Sequence, residues 1–530
     1  MPGSSLLVAL KPSLGDLAIV VSLQALIIGA VYAAGFSALS DDDYARVVIA
    51  EAFVQNPSWD PSGTSWLPLP FLITGSAMSV FGSSLFTARV VGWCCSLASA
   101  CLLYTAARIL GLGRAPALWG TLLGALVPTA ALLAAAPIPE YYSAALTVLG
   151  VCTLANRDHR LLGACCLFAA CASRYESWPV ALAFALMCFA QAASSRLSES
   201  RKAAQESLAP LWAAGSLALL FPVIWIAHGY LSHDDAFFFV TRVRDYQQAL
   251  SSAQGPSTFE LLWLFPKTLL LAEPGISLMS LYGCTAAAIV SSMAPSRSAA
   301  QYGQRQGVAM VFSPWLPLLV GFFVLCISAA RGGAPTHHPE RALLSVWLLA
   351  ALFLARALAF GFSQRRHNWA LPAATCCGGL LALSLNLAGL WQRDGFAQRA
   401  SEEKLGRWLK EHIPATTSVA LLLDDYGYFA VMAASGRPRR FAALQNHDPR
   451  AAVAQDAPLS AWLSAPDRCV YVSPRNNTTP RPRVLHVEGE LMVSRAMLCD
   501  RPQKPAPDQP DATAASADNS RTDRAPPQSE

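Results

Sequence analysis

SALSDDDYARVVIAEAFVQNPSWDPSGTSWLPLPF, residues Ser37–Phe71, is the stretch on which the reading of this chain turns. Three consecutive carboxylates, Asp41, Asp42 and Asp43, follow the first long apolar run, Leu17–Leu39, where a membrane helix would emerge into water. Trp59, Pro61, Gly63, Trp66, Pro68 and Pro70 come next, a turn-rich, aromatic composition that suits a loop folded back on a membrane face. The expectation is a substrate-facing loop at the membrane edge.

The rest of the composition agrees. The chain has 530 residues, of which 54% are hydrophobic and 14% charged, and a mean hydropathy of +0.37, far from soluble domains. A net charge of +5 with scattered Lys and Arg offers no nucleic-acid surface. Leu17–Leu39 is longer than a secretory apolar core and lacks a small-residue cleavage site, so it reads as a retained helix. Twelve of the fourteen cysteines sit in apolar runs, where a thiol packs as a small hydrophobe. Cys469 and Cys499 lie in the polar C-terminal part, where an oxidising compartment would let them pair.

A membrane helix needs about 20 apolar residues. By that measure eleven spans are expected, at about residues 17–39, 88–107, 115–136, 141–155, 161–172, 178–192, 209–227, 268–293, 308–329, 342–362 and 369–391. Leu67–Phe81, interrupted by Pro and Gly, is expected as a juxtamembrane or re-entrant piece. Alternating from an inside N-terminus puts Arg108, Arg114, Arg157, Arg160, Arg201 and Lys202 on one face, the cytoplasmic one by the positive-inside rule. The acidic loop, Pro137–Glu140, Ser173–Ser177, the loop His228–Lys267 and Arg331–Arg341 then share the other. Beyond Trp391, SEEKLGRWLKEHIP has amphipathic helical spacing, and SVALLLDDYG, RPRRFAAL, RCVYVSP and RVLHVEGELMV read as strands. The expected architecture is an all-α polytopic membrane domain over 1–394, a small extra-cytoplasmic α/β domain over 395–499, and a disordered tail over 500–530.

The candidate site residues are the ionisable groups that land on the outer face. Charge near a bilayer costs at least about 2–3 kcal/mol and usually serves a cavity. Each also has a plainer reading. Asp41–Asp43 could cap a helix, as could Glu140 in PIPEYY. Arg174 and Glu176 in SRYESWP could pair with each other, and Arg341 could snorkel. Asp234, Asp235, Arg242, Arg244 and Arg331 fall on the same face. His337, His338 and Glu340 lack metal-binding spacing, so no metal site is expected there.

Taken in order, these residues resemble the GT-C superfamily of membrane glycosyltransferases, close to protein O-mannosyltransferases and lipid A aminoarabinose transferases. The acidic pair after the first helix matches Asp42 and Asp43, a WLPLPF-like segment closes the first outer loop, and a second outer acid matches Glu140. An RYEGW-like segment matches Arg174–Trp178, and a Pro-Glu-Arg motif matches Pro339, Glu340 and Arg341. Three acids stand where two are expected, which leaves Asp41 as spacer or active group. The WWDYG segment of oligosaccharyltransferases is absent.

The resemblance implies an inverting transferase that moves a sugar from a polyprenyl-phosphate donor to a protein, lipid or glycan acceptor. Asp42, Asp43 and Glu140 would be catalytic, and Asp41, Arg174, Glu176, Arg331, Glu340 and Arg341 would bind substrate. No cofactor is required, though adjacent carboxylates could hold Mg or Mn. The expected setting is a bacterial inner membrane with the site on the periplasmic side. An O-antigen ligase or polysaccharide polymerase is the nearer alternative and a lipid or glycan transporter the more distant one, the latter lacking an inverted repeat.

Overall fold

The computed structural model describes residues 13–63, 65–198, 201–250, 257–277, 313–332, 338–363, 399–423, 426–443, 470–474, 483–489 and 491–495. Leu14–Ala33 (α1) is apolar on every side, and Ser13 starts it by accepting the Asp16 backbone N–H at 3.1 Å. It gives way to Gly35, whose φ of +97° suits a residue without Cβ. The acidic triplet then opens a second helix, Asp41–Gln55 (α2), and Leu69–Phe81 (α3) follows. Pro68 and Pro70 sit at the start of α3, where a missing N–H costs nothing, so the segment expected as a juxtamembrane or re-entrant piece is a short regular apolar helix.

Leu85–Ile109 (α4) is capped by Ser84, which accepts the Thr87 N–H at 3.0 Å. Arg114–Leu126 (α5) and Pro128–Ala135 (α6) form one apolar stretch bent by 76°. Pro128 forces Val127 into an extended conformation, and the freed Thr129 N–H donates to Glu273 Oε1 at 2.7 Å. Then come Glu140–Cys152 (α7), Arg160–Cys171 (α8), Ser177–Ser198 (α9), Arg201–His233 (α10), Phe238–Leu250 (α11), Thr258–Leu271 (α12), Trp315–Ala330 (α13) and Pro339–Ser363 (α14). The loop expected over His228–Lys267 is therefore largely helical. The span expected from Thr268 overlaps a helix that begins at Thr258, where Ser257 and Glu260 form a capping box.

Among the described residues four helices are long and apolar enough to cross a membrane, namely Leu14–Ala33, Leu85–Ile109, Ser177–Ser194 and Leu208–His233, with the bent pair α5–α6 as a fifth. The expectation of eleven spans is thus not reproduced by the described part. The span at 369–391, most of 268–293, the tail 500–530, Cys469 and Cys499 lie outside the described residues. Small side chains let the helices close on one another: a Cβ on Gly120 would meet Ala355 and Leu352, and one on Gly150 would meet Leu167.

Connectivity gives the bundle two chemically different ends. α1 runs from Asp16 toward the acidic triplet and α4 runs back to Arg108 and Arg114. There Asp16, buried, accepts from Arg114 Nε and, at 2.8 Å, from Tyr104 Oη. α5–α6 return to Glu140, α7 leads away to Arg157 and Arg160, and α8 returns to Arg174. The acidic triplet and Glu140 thus gather at one end, and Arg108, Arg114, Arg157 and Arg160, with Asp16, at the other.

The C-terminal part contributes Ala400–His412 (α15), Val419–Leu421 (β1), Tyr428–Ser435 (α16), Phe441–Ala443 (β2), Val470–Pro474 (β3), Arg483–Glu488 (β4) and Leu491–Arg495 (β5). The strands form one sheet in the order β2-β1-β3-β5-β4, parallel across β2-β1-β3 and antiparallel across β3-β5-β4. Val419 pairs with Phe441 on one side and Val470 on the other. Leu405 and Leu409 of α15 pack with Val431, Val472 and Val493. α16 is the one element here that strand and amphipathic patterns do not announce.

α2 is shared between the two parts. Tyr44, Val47 and Ala50 pack with Met78 and Leu85 from the bundle side and with Ala430 and Ala433 from α16. Glu51 is caught in this seam, fully buried, with both carboxylate oxygens lacking a hydrogen-bond partner. Burial pushes its carboxyl up to about 9 against a weaker opposing pull from Lys410. A folded-state value above the unfolded one means the native state holds the proton, so stability falls as pH rises from about 4.5 toward 9. Glu51→Met is expected to melt higher than wild type at pH 8 in detergent, with the gap narrowing toward pH 5; differential scanning fluorimetry across that range checks it.

Candidate functional site

Helix geometry explains what the acidic triplet does. Successive helical residues point about 100° apart, so three acids in a row serve three directions. Asp41 turns to the C-terminal part, where Arg399 Nε and Nη2 donate to its two oxygens at 2.9 and 3.0 Å. Asp42 turns to α14, with Arg341 Nη1 3.4 Å from Oδ2. Asp43 turns inward and accepts the Leu39 N–H at 2.8 Å. Ser40 is the N-cap residue, yet its side chain makes no cap hydrogen bond; its hydroxyl accepts instead from Arg341 Nη2 at 2.8 Å. Asp43 thus ties the helix to the residue before its N-cap, and none of the three acids caps a backbone N–H of α2 itself.

A small open cleft lies at the same end, lined by Glu140, Arg174, Glu176 and Arg341, the hydroxyls of Ser143, Thr147, Ser177 and Ser345, and two alanines. Glu140 begins α7, where an anion meets unpaired backbone N–H groups. Arg174 bridges it to Glu176: Nη1 donates to Glu140 Oε1, Nη2 to Glu176 Oε1, and Nε to Glu176 Oε2 at 3.0 Å. The expected Arg174–Glu176 pair is thus present, and it is joined to Glu140. Arg341, which lines the cleft, is 4% exposed, whereas its partner Asp42 is 43% exposed. Burial is the largest cause that pushes the Asp43 carboxyl up to about 6, helped by Asp42 and Glu140 and opposed by Arg341 and the Leu39 N–H.

Arg46, which the sequence did not single out, belongs to this group. It lies one turn beyond Asp42 on α2, 4.4 Å over the Trp66 ring, and its charge acts on Glu140 and Asp42. The i, i+4 spacing of Asp42 and Arg46 is the signal that could have found it. Three atoms here are buried without hydrogen-bond partners: Glu140 Oε2, Arg341 Nε and Arg46 Nε. Five candidates fall outside the cleft lining, the acidic triplet Asp41–Asp43 together with Arg331 and Glu340. Arg331 is exposed at the end of α13, and Glu340 pairs with His338 Nδ1 at 3.2 Å. His337 lies outside the described residues. Asp235 accepts the Phe237 N–H at 2.8 Å and the Thr241 hydroxyl at 3.0 Å, a local turn rather than a ligand site.

The sequence expectation of no metal site needs qualifying at one place. Asp60, His228 and His233 bring one ligand atom each within 4.8 Å of one another. His228 Nε2 is buried without a partner, which fits a ligand role. Imidazole with carboxylate suits zinc better than the Mg or Mn considered for the acidic triplet. Arg242 Nη1 lies 3.1 Å from Asp60 Oδ2, and Asp60 Oδ1 accepts from Ser62 Oγ and the Gly63 N–H, each at 3.3 Å, so both oxygens already have partners.

The bundle, the bent helix and the charged cleft at one end make up a helical fold with membrane-length apolar helices, and that fold is shared with a solved structure. The chain superposes on ArnT, the lipid A aminoarabinose transferase, from Cupriavidus metallidurans, in its undecaprenyl-phosphate-bound and apo structures, each with a TM-score of 0.54 at 13% identity. The superposition covers 91% of this chain and 98% or 97% of the other, so the likeness is one of whole fold. No protein-family model and no curated protein matches the sequence.

Removing one member of a buried ion pair leaves the other uncompensated, at about 3–5 kcal/mol. Arg174→Ala is expected to destabilise by that order, since Glu140 and Glu176 then face each other. Adding Glu140→Gln should recover part of the loss, and thermal melts of the single and double variants measure the coupling.

Proposed function

We propose that the chain is an inverting glycosyltransferase that moves a sugar from a polyprenyl-phosphate-linked donor to a hydroxyl or amine acceptor at the acidic end of the bundle. The observation that carries it is the cleft. Carboxylates and arginines converge there in a fold shared with a structure that holds undecaprenyl phosphate. Anionic leaving groups need the arginines, and a nucleophile that must lose a proton needs a carboxylate.

In this reading Asp42, half exposed beside Arg341, accepts the proton of the acceptor as its oxygen or nitrogen bonds to the anomeric carbon. The bond from that carbon to the phosphate oxygen breaks on the opposite face, and the polyprenyl phosphate leaves with the electron pair. General-base help of this kind contributes about 10²- to 10⁴-fold. Arg46, Arg174 and Arg341 receive the charge that develops on the phosphate, the larger electrostatic contribution. Glu140 orients the acceptor, and Asp43 sits behind Asp42 as a second carboxylate. Asp41, held by Arg399 through both oxygens, is the anchor rather than the base.

The arginines Arg108, Arg114, Arg157 and Arg160 at the opposite end support a cytoplasmic placement of that end. The cleft and the sheet then face the periplasm of a bacterial inner membrane. The acceptor, whether protein, lipid or glycan, would approach from that side.

Mass spectrometry of lipids that copurify with the detergent-solubilised protein is expected to find a sugar-bearing polyprenyl phosphate, which then serves as donor in transfer assays. Asp42→Asn should lower transfer at least about 100-fold in protein that still folds, with a lower melting temperature because the buried Arg341 loses its carboxylate. Because the Asp43 carboxyl ionises near 6, wild-type transfer should rise through that pH, and Asp43→Asn should lack that rise. Transfer that survives Asp42→Asn, or no prenyl lipid in the preparation, defeats the reading.

A further inference from the structure

The charges that do not line the cleft are organised around α2. Glu403, in the first turn of α15, is buried, and three donors converge on its carboxylate. Tyr44 Oη donates to Oε1 at 2.7 Å, Arg89 Nη2 to Oε1 at 2.6 Å, and Arg89 Nη1 to Oε2 at 3.3 Å. The same Arg89 Nη2 donates to the Ser37 carbonyl at 2.9 Å, just ahead of the acidic triplet. One helical turn earlier, Arg399 grips Asp41 through two bonds and reaches Glu402 at 3.1 Å. Asp41 and Tyr44 are the residues on either side of Asp42 and Asp43.

The contact is rigid on its other side as well. A Cβ on Gly406 of α15 would lie 2.4 Å from the Val431 carbonyl, so α15 is seated on α16 without slack. Gly436, which ends α16 in a left-handed conformation, leaves no room for a Cβ against the Ser83 carbonyl at 2.6 Å. The C-terminal part is thereby fixed to the α3–α4 connection and to α2 at once.

We propose that Glu403 and Arg399 are positioning residues: from the C-terminal part they hold the first turn of α2 in the register that presents Asp42 to Arg341 of the cleft and keeps Asp43 behind it. Two opposed grips flank the acids, one on Asp41 and one on Tyr44, and a helical turn held at both ends neither frays nor rotates. The catalytic consequence rests on the proposed function; the geometry of the grip does not.

The test uses the full-length protein in detergent. Glu403→Gln keeps the shape and drops the charge, Arg399→Ala removes the other grip, and Glu403→Asp is the conservative rescue. Hydrogen exchange of residues 39–46 is expected to speed up at least tenfold in the first two variants and to return toward wild type in the third. β3 and β5 should stay protected. Undecaprenyl phosphate, titrated by native mass spectrometry, should bind about tenfold more weakly to the first two, because Arg46 moves with α2. Unchanged exchange in 39–46 overturns the proposal. So does altered exchange with wild-type affinity, which would make the contact one of packing alone. Wild-type protein that takes up no undecaprenyl phosphate counts against the donor reading, and the exchange data then decide the grip by themselves. Should Glu403→Gln fail to fold, Tyr44→Phe removes the single hydroxyl and is read the same way.

Discussion

A guanidinium withdrawn from water is stabilised by an anion beside it, and four such pairings shape the acidic end of the molecule. Arg174 takes Glu140 and Glu176, Arg341 takes Asp42, Arg399 takes Asp41, and Arg89 takes Glu403. Most of these partners are far apart in sequence, Arg341 and Asp42 by 299 residues and Arg399 and Asp41 by 358. Buried ion pairs add little net stability, since desolvation offsets attraction. What they supply is discrimination, because any arrangement that separates a pair strands a charge in a medium that cannot solvate it.

That constraint makes α2 the hinge of the architecture in a structural sense. Its apolar residues are divided between the bundle and α16, and its acids between the cleft and α15. A helix with so little continuous apolar surface would not hold to a membrane face alone. It is stable where it is because neighbours on both sides contribute: Gly75 lets α3 approach Ala50 and Phe53, and Tyr44 reaches Glu403. Glu51, uncharged in this seam, shows how thoroughly water is excluded there.

Local chemistry made much of this visible beforehand. The acidic triplet, RYES and PER stand out because ionisable residues beside apolar runs are rare, and Glu140, Arg174, Glu176 and Arg341 do line one cleft. The helix Ala400–His412 and all five strands fall within segments whose periodicity announces them. Other features resist such reading for a physical reason. Tyr44, Arg89, Arg399 and Glu403 are ordinary residues until the fold brings them together, and nothing in their own neighbourhoods encodes a partner some 300 positions away. Asp60, His228 and His233 are separated by a loop and most of the bundle. α3 and α11 escape because prolines and charges at a membrane surface look like a loop when the apolar run is short.

The unsatisfied atoms carry the argument one step further. An orphaned buried polar atom costs about 1–3 kcal/mol, and a stable fold keeps few of them. Arg341 Nε, a donor, and Glu140 Oε2, an acceptor, are two such atoms on residues that line the cleft. In the proposed reading a phosphate offers an acceptor to the first and a sugar or acceptor hydroxyl a donor to the second. Serine and threonine hydroxyls on the same wall, Ser143, Thr147, Ser177 and Ser345, can both give and accept, and so they suit a ring of hydroxyls without fixing which sugar it is. In the proposed reading, charge selects the class of donor and the shape of that wall selects among its members.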